Sequence, residues 1–302
     1  MNEGMFFMKA IQVVNYGGPE VAKVQTADVP SRNPKEVLVR VVASSINPVD
    51  IKHMTPNTIQ KIDQLPKVLG WDVTGVVMEA GQDSDFKAGD RVTAMHPQGS
   101  WQQILAIAEN ELVKLPDAIN FAAGASIPLA AVTALQALEK LQLKQDETLL
   151  VTGATGSVGG YAVQIAKQKG LFVAGLVRNT AQKEIVQQWS VDKVYTNEEK
   201  IPVFDAVFDT AGFLERTDFI KQGGKLITVS DDTISRKLEK HSLFAEHNYV
   251  SINQKDLQQA IDFTLEGKLQ TRVAAIYSMN EIQTALKHAS QSCNNGKIVI
   301  VF

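Results

Sequence analysis

Residues 151–170 read VTGATGSVGGYAVQIAKQKG, a stretch in which an apolar run leads into closely spaced glycines and then into a helical pattern. In a dinucleotide-binding turn, one glycine permits the tight turn, a second lets the backbone approach a pyrophosphate, and a third lets helix and strand pack closely. Gly153, Gly156 and Gly159 have this spacing, and Gly170 is placed to end the helix. The start of such a helix favours an anion, because its N–H groups lack intrahelical acceptors.

The segments around this stretch differ in their periodicity. Up to about residue 115, short runs rich in Val and Ile are separated by turn signals, which predicts a mainly β half. Residues 121–143 carry apolar positions at helical spacing and predict two short helices that meet near Pro128. Strand and helix patterns then alternate, which indicates βαβ units and a doubly wound, Rossmann-type parallel sheet.

Composition excludes several classes of partner. The 302 residues include 30 basic and 33 acidic residues in no long run of one sign, so we expect neither a nucleic acid nor a membrane surface as partner. A single cysteine, Cys293, excludes an intramolecular disulfide and a multi-cysteine metal site. The N-terminus lacks a signal-peptide pattern, and we expect no apolar run of membrane-spanning length. These features predict a cytoplasmic protein with a small-molecule partner.

Arg178 bears on the identity of the dinucleotide. It ends the strand LFVAGLV about 20 residues after the glycine turn, where an NAD site places an Asp or Glu on the ribose 2′-OH. A guanidinium there can pair with a 2′-phosphate, which favours NADPH over NADH. The alternative is an ordinary solvated surface arginine.

Several motifs together carry a family resemblance. They are YGGPEV, SSINPVD, LPKVLGWDVTGVV, FKAGDRV, KLPDAINFAAGASIPLAAVTALQAL, the glycine turn, FDTAG, GGKLITVS and NNGKIVIVF. With them, the chain resembles the zinc-independent quinone oxidoreductase branch of the medium-chain dehydrogenase/reductase superfamily. The resemblance implies a homodimer and a partly open, barrel-like (GroES-like) β domain into which the Rossmann domain is inserted. We therefore expect a catalytic domain over 1–125, an NADPH-binding domain over 126–268, and a return to the catalytic domain over 269–302.

The same resemblance bears on metal binding. Metal-dependent relatives hold a catalytic zinc with a Cys and a His, and here Asn47 and Trp71 stand at those positions. A catalytic zinc needs about three N, S or O protein ligands. The five histidines are widely separated and show no ligand spacing: His53, His96, His241, His247 and His288. We expect no metal.

The resemblance also implies individual site residues. Near the nicotinamide it places Asn47 and Thr133, and along the pyrophosphate it places Gly153, Thr155, Gly156, Ser157, Val158 and Gly159. Around the adenosine and ribose it places Arg178, Tyr195, Thr210, Ala211 and Gly212, and farther along the cofactor Ser230, Asn295 and Lys297. Two assignments keep an alternative. Asn47 could be a turn residue before Pro48, and Tyr195 could cover the adenine side of the sheet or pack in the core.

The candidate catalytic residues are Asn47 and Lys52. Lys52 stands where many members have a tyrosine, so that residue's role in binding substrate is in doubt. Lys52 or His53 could orient a carbonyl oxygen or supply a proton, and the alternative for Lys52 is a solvated loop charge.

We expect hydride transfer from NADPH to a conjugated acceptor, a quinone or an α,β-unsaturated carbonyl, without zinc. The closest alternative is an enone or enoyl-thioester reductase of the same family. A protein that binds NADPH without turnover is an alternative of another class, since fold does not fix function. The glycine turn also resembles that of atypical short-chain reductases. Those proteins have the turn at the N-terminus and lack a β-rich first half, so we discount this alternative.

Overall fold

In this computed structural model the described residues are 7–56, 62–212, 218–230, 244–291 and 294–302. Two residues weighed above, Cys293 and His241, lie outside these ranges. The described residues form two compact units. One comprises 7–129, 252–265 and 271–302, and the other comprises 130–251 and 266–270.

The strands follow from alternating or continuous apolar runs. In chain order they are β1 (Phe7–Val13), β2 (Ala22–Asp28), β3 (Glu36–Ile46), β4 (Lys67–Val68), β5 (Asp72–Glu79), β6 (Arg91–Met95), β7 (Ile104–Ala108), β8 (Leu112–Lys114), β9 (Thr148–Thr152), β10 (Phe172–Val177), β11 (Lys193–Thr196), β12 (Phe204–Asp209), β13 (Ile220–Thr228), β14 (Phe244–His247), β15 (Val273–Ser278) and β16 (Lys297–Val301). The α-helices are α1 (Pro48–Met54), α2 (Phe121–Gly124), α3 (Pro128–Leu141), α4 (Ser157–Gln168), α5 (Lys183–Gln187), α6 (Gln254–Leu265) and α7 (Ile282–Ala289).

The first unit is built mainly from antiparallel strands. A small sheet has the order β2-β1-β4, and a larger one has the order β15-β16-β3-β5-β6-β8, with β7 also paired to β3. The long strand β3 alternates buried valines with more exposed residues, and Val37, Val39 and Val41 contribute to one apolar cluster. A second cluster contains the fully buried Trp101. The predicted mainly β, GroES-like domain is confirmed.

The second unit contains a parallel sheet with the order β11-β10-β9-β12-β13-β14. The first strand in the chain, β9, lies inside the sheet; β10 and β11 follow on one side of it, and β12, β13 and β14 follow on the other side. This order is that of a doubly wound sheet, in which ligands bind beyond the carboxyl ends of the strands where the order reverses. The predicted Rossmann-type sheet is confirmed.

The division of the chain differs from the predicted bounds at 126–129, which groups with the first unit, at 269–270, which groups with the second, and over the longest stretch at 252–265. We placed all of 126–268 in the cofactor domain, whereas 252–265, which contains α6, groups with the first unit. The reason lies in the start of α6, where the side-chain amide of Gln254 donates to the carbonyl oxygen of Leu112 at 2.6 Å. Leu257 and Ile261 give the helix a buried face. The helix therefore belongs to the unit against which it packs.

One expectation about apolar runs was wrong. Among the described residues, Phe121–Leu141 is long and apolar enough to cross a membrane by length and composition, with a mean hydropathy of 1.6. Most of this stretch, 72%, is buried inside the protein. Burial of that extent is typical of a core helix, so the composition of the segment is weak support for a membrane span.

Candidate functional site

The glycine turn has the predicted strand, turn and helix. β9 ends at Thr152, Gly153 adopts a positive φ of 62°, and the N–H of Gly156 donates to the carbonyl oxygen of Gly153 at 2.8 Å. Gly156 is the N-cap of α4, and Gly170 follows the helix with a φ of 75°. A positive φ is strained for other residues, so Gly153 and Gly170 are required by the backbone itself.

The turn suits a pyrophosphate because it leads into the start of α4, where N–H groups without intrahelical acceptors favour an anion. A Cβ at Gly159 would lie 2.4 Å from the carbonyl oxygen of Gly153, so this glycine is needed for packing between helix and turn. At Gly156 the backbone is extended and exposed, and the nearest atom facing a Cβ is the same oxygen at 3.2 Å. A Cβ at Gly156 would have only this oxygen within 4 Å, so it would be less hindered by the turn than a Cβ at Gly159. Thr155 is buried, and Ser157 and Val158 are half-buried in the first turn of α4.

A buried carboxylate joins the ends of three central strands. Asp209, at the end of β12, accepts hydrogen bonds from the hydroxyls of Thr152 at 2.6 Å and Thr228 at 3.0 Å. The hydroxyl of Thr210 in turn donates to the carbonyl oxygen of Thr152 at 2.7 Å. These bonds fix the carboxyl ends of β9, β12 and β13 relative to one another, which is the edge where a dinucleotide lies in this fold. Of the other predicted residues here, Ala211 and Gly212 are exposed, and Ser230 is half-buried just beyond β13.

Arg178 and Tyr195 belong to the half of the sheet formed by β10 and β11. Arg178 is exposed directly after β10, and its backbone N–H donates to the side-chain oxygen of Gln182 at 3.0 Å. Tyr195 lies within β11 and is half-buried, with its ring 6.4 Å from that of Phe204 in an edge-to-face arrangement. Tyr195 thus packs against the apolar cluster of this sheet.

In the first unit, three strands bring together a second polar cluster, made of Asn47, Asp72 and Lys297. Asn47 follows β3, Asp72 begins β5, and Lys297 begins β16, whose antiparallel pairing with β3 sets Ile298 opposite Ile46. The Lys297 ammonium donates to Asn47 Oδ1 at 2.5 Å, and Asn47 Nδ2 donates to Asp72 Oδ2 at 2.8 Å. Each of the three residues is at most 4% exposed.

The charge of Asp72 is compensated from several directions. Its Oδ1 accepts from the backbone N–H of Leu129 at 2.7 Å, and its Oδ2 also accepts from the hydroxyl of Ser45. Lys297 Nζ lies 3.4 Å from the same Oδ2. A buried carboxylate without such partners would be strongly destabilising, so the cluster depends on Lys297 as its cation.

A second buried carboxylate lies beside this cluster. Asp50, in the first turn of α1, accepts from the backbone N–H groups of Asn47 at 2.8 Å and Gly70 at 3.0 Å. Burial raises the pKa of the Asp50 carboxyl to about 7, and the nearby charge of Asp72 acts in the same direction. The two backbone donors and Lys297 oppose the increase. Asp50 therefore titrates near neutral pH while it anchors the backbone of Asn47.

Asn47 is the N-cap of α1, directly before Pro48, and its side chain belongs to the polar cluster. Lys52 and His53 lie half-buried in the last turn of the same helix. Burial lowers the pKa of His53, and the charge of Lys67 lowers it further, so the imidazole is neutral at pH 7. A neutral imidazole can orient an oxygen but is a poor proton donor.

The two remaining predicted residues lie in different units. Thr133 is buried in α3, within the second unit. Asn295 precedes β16 with a positive φ of 52°.

Sequence reasoning missed the three buried aspartates, Asp50, Asp72 and Asp209. Each had a signal. Asp72 begins and Asp209 ends a largely apolar run, in WDVTGVV and FDAVFD, where an unpaired buried carboxylate is rare. Asp50 stands three residues after Asn47, the spacing of a capping box. Among the described residues, no group of three or more His, Cys, Asp or Glu side chains is placed to hold a metal ion. The absence of bound metal stays a prediction.

Known proteins share both the sequence and the fold. Residues 33–117 match the alcohol dehydrogenase GroES-like domain, and residues 158–300 match the family described as zinc-binding dehydrogenase. An NADPH-dependent alkenal/one oxidoreductase of Arabidopsis thaliana chloroplasts is 33% identical over 74% of this chain and 62% of its own length. The chain thus spans about three fifths of that relative.

Two further relatives are matched more completely. A quinone oxidoreductase of Homo sapiens is 32% identical over 76% of this chain and 75% of its own length. The structure of the quinone oxidoreductase from Coxiella burnetii superposes with a TM-score of 0.90 at 27% identity, covering 98% of this chain and 100% of that one. The glycine turn, the two sheets and these likenesses agree, and the chain belongs to the quinone oxidoreductase branch of the medium-chain dehydrogenase/reductase superfamily.

Proposed function

We propose that this protein is an NADPH-dependent reductase of conjugated carbonyl compounds, with quinones or enones as acceptors. The observation that carries the proposal is the glycine turn that leads into the start of α4, at the carboxyl end of the central strand of a doubly wound sheet. That position suits a dinucleotide pyrophosphate. The names of two relatives, an NADPH-dependent alkenal/one oxidoreductase and a quinone oxidoreductase, support the same reaction class.

The preference for NADPH rests on the end of β10. Arg178 is exposed there, and the residues that follow it, Asn179–Gln182, contain no carboxylate. A guanidinium can form charge-assisted hydrogen bonds to a 2′-phosphate, while an Asp or Glu would be needed to bind the 2′-OH of NADH. Bound NADPH supplies the hydride, and the protein supplies its orientation.

Asn47 is the candidate that acts on the acceptor. One N–H of its amide is directed to Asp72, and among the described residues no second hydrogen bond of Nδ2 is formed. We assign the other N–H as the donor to the carbonyl oxygen of the acceptor, where negative charge develops as hydride arrives at the conjugated carbon. Lys297, bonded to Oδ1, polarises the amide and strengthens that donor. The resulting enolate or hydroquinone anion takes a proton from solvent.

The test is NADPH oxidation, followed by its absorbance, with quinones, enones and enoyl thioesters as acceptors. Oxidation with quinones or enones supports the proposal, and preference for enoyl thioesters would identify the alternative reductase. Binding of NADPH with thermal stabilisation, but no oxidation with any acceptor, would indicate a binding protein without turnover. A protein that binds neither NADPH nor NADH would contradict the proposal altogether.

Two further expectations stay predictions. The family resemblance implies a homodimer, which light scattering of the purified chain would test. Cytoplasmic location is an expectation from composition alone, and cell fractionation would test it.

A further inference from the structure

His96 and Glu111 form a buried pair that the proposed reaction leaves unused. Nδ1 of His96 lies 2.9 Å from Oε2 of Glu111, and the two side chains are 7% and 15% exposed. An ionised carboxylate can only accept, so Nδ1 carries a hydrogen, and Nε2 is the nitrogen at which the ring gains and loses its second proton. A carboxylate in this position fixes the tautomer of an imidazole, as it does for histidines that act as acids and bases.

Nε2 of His96 remains open to solvent. Within the described ranges it forms no hydrogen bond. The fully buried side-chain polar atoms that lack a partner there are the two ring nitrogens of His247 and Oδ1 of Asn248. Since Nε2 of His96 is not one of these atoms, it keeps accessible surface. The ring can therefore exchange a proton with water at Nε2 while Nδ1 stays bonded to Glu111.

His96 lies at the same edge of the large sheet as Asn47. β3 ends directly before Asn47, and β6 ends directly before His96. The strand between them, β5, begins at Asp72, which pairs with Met95 and accepts from the side chain of Asn47. Two strand spacings separate β3 from β6, so the backbones of Asn47 and His96 lie roughly 10 Å apart. A small acceptor bound to Asn47 can span a distance of that size.

The two histidines near this edge differ in their surroundings. The ring of His53 lies 6.4 Å from that of Trp71, and burial and the charge of Lys67 lower its pKa. The backbone N–H of His96 donates to the carbonyl oxygen of the same Trp71 at 2.6 Å. A second proton on His96 is held beside the opposite charge of Glu111, so His96 is the better proton carrier of the two.

We propose that His96 delivers a proton to the α-carbon after hydride has reached the β-carbon of the acceptor, which makes α,β-unsaturated carbonyl compounds the preferred class of acceptor. At that stage the acceptor is an enolate whose oxygen is held by Asn47. The α-carbon takes the proton of Nε2 as the carbonyl double bond re-forms, and His96 becomes neutral with Nδ1–H still bonded to Glu111. Water then supplies the next proton at Nε2.

The chemistry of the two acceptor classes explains this preference. An enolate carbon gains from a positioned acid, whereas the oxygens of a hydroquinone exchange protons with water directly. The inference rests on the proposed function, since it completes the same reaction.

The test measures which enantiomer is formed from an enone with a methyl group on its α-carbon, 2-methylcyclohex-2-enone. Protonation of that carbon creates a stereocentre, and chiral gas chromatography of early samples gives the enantiomer ratio of the product. The wild-type protein should form one enantiomer in large excess, because His96 approaches one side of the enolate. His96→Gln should lower kcat about a hundredfold with little change in KM, and its product should be close to racemic.

Two further variants sharpen the comparison. Glu111→Gln keeps an oxygen that can accept from Nδ1–H but removes the charge, so kcat should fall while the product enantiomer is unchanged. His288→Gln is the matched control, because His288 is a half-buried histidine whose Nδ1 lies 2.9 Å from the neutral hydroxyl of Tyr277. It should keep the wild-type kcat and enantiomer ratio. If His96→Gln does not fold, Glu111→Gln and the wild-type product still test the proposal.

The possible failures are distinct. A racemic wild-type product overturns the assignment of His96, as does an unchanged enantiomer ratio in a folded His96→Gln variant. Loss of the enantiomer excess in Lys52→Met but not in His96→Gln would assign the proton to Lys52 instead. Oxidation of NADPH with quinones but with no enone overturns the assignment and leaves the proposed function standing. Absence of oxidation with every acceptor contradicts both.

Discussion

Lys297→Met removes the cation of the buried polar cluster and should be strongly destabilising. The ammonium lies 3.4 Å from Asp72 Oδ2 and 2.5 Å from Asn47 Oδ1, and its side chain is 4% exposed. Removing one partner of a buried ion pair leaves an uncompensated charge, which costs about 3–5 kcal/mol. Because Asp72 is fully buried, water cannot replace the lost ammonium without opening the cluster.

The assay is urea unfolding followed by tryptophan fluorescence, in a double-mutant cycle with Asp72→Asn. The double variant replaces both charges by neutral groups, and it should be more stable than Lys297→Met alone. We expect a coupling energy of about 1–3 kcal/mol between the two positions. Lys140→Met is the control, because Lys140 forms an ion pair with Glu246 at 2.6 Å near the surface, where loss costs about 0–1 kcal/mol.

Two results would refute this reasoning. One is a loss of less than about 1 kcal/mol in Lys297→Met, the range of an exposed pair. The other is a Lys297→Met variant that is as stable as the wild type but binds NADPH more weakly. That result would show that Lys297 acts on the cofactor directly rather than through the cluster.

Four further predictions test other parts of the protein. Gly156→Val should weaken NADPH binding about tenfold or more with little change in melting temperature. Gly159→Ala should instead destabilise the fold by about 1–3 kcal/mol. Equal effects of Gly156→Val on binding and on folding would show that the turn is not part of the cofactor site. Arg178→Asp should abolish or reverse a wild-type preference for NADPH of about ten- to a hundredfold in kcat/KM, and an unchanged ratio would make Arg178 a surface charge only. The stabilising contribution of a protonated Asp50 is present below about pH 4 and is lost as the pH rises to about 7. The free energy of unfolding of the wild type, relative to that of Asp50→Asn, should therefore fall by up to about 1.4 kcal/mol per pH unit over that range. Urea titrations that give parallel pH profiles for the two proteins would contradict the raised pKa. Elemental analysis should find no stoichiometric zinc, and activity should survive a chelator; one zinc per chain with chelator-sensitive activity would overturn this.

The sequence predicted the features that depend on near neighbours. The spacing of Gly153, Gly156 and Gly159 predicted the turn, because the tight backbone and the close approach of α4 are decided within a few residues. Alternating strand and helix patterns likewise predicted the parallel sheet, since a crossover between parallel strands requires that order. The family resemblance also placed Asn47 and Trp71 where metal-dependent relatives have zinc ligands, and the absence of zinc stays a prediction.

Only the tertiary structure decided which distant polar residues meet. Asn47 is 25 residues from Asp72 and 250 from Lys297, and their contact depends on the register of three strands, which a single sequence does not specify. The same holds for α6, whose amphipathic pattern predicts a buried face but not the strand against which it packs. The unpaired oxygen of Asn248 is the clearest case, because a missing hydrogen bond can be recognised only after every neighbouring donor has been located. Local backbone preference thus determined the elements and the glycine turn, while long-range packing determined which buried charges meet and the raised pKa of Asp50.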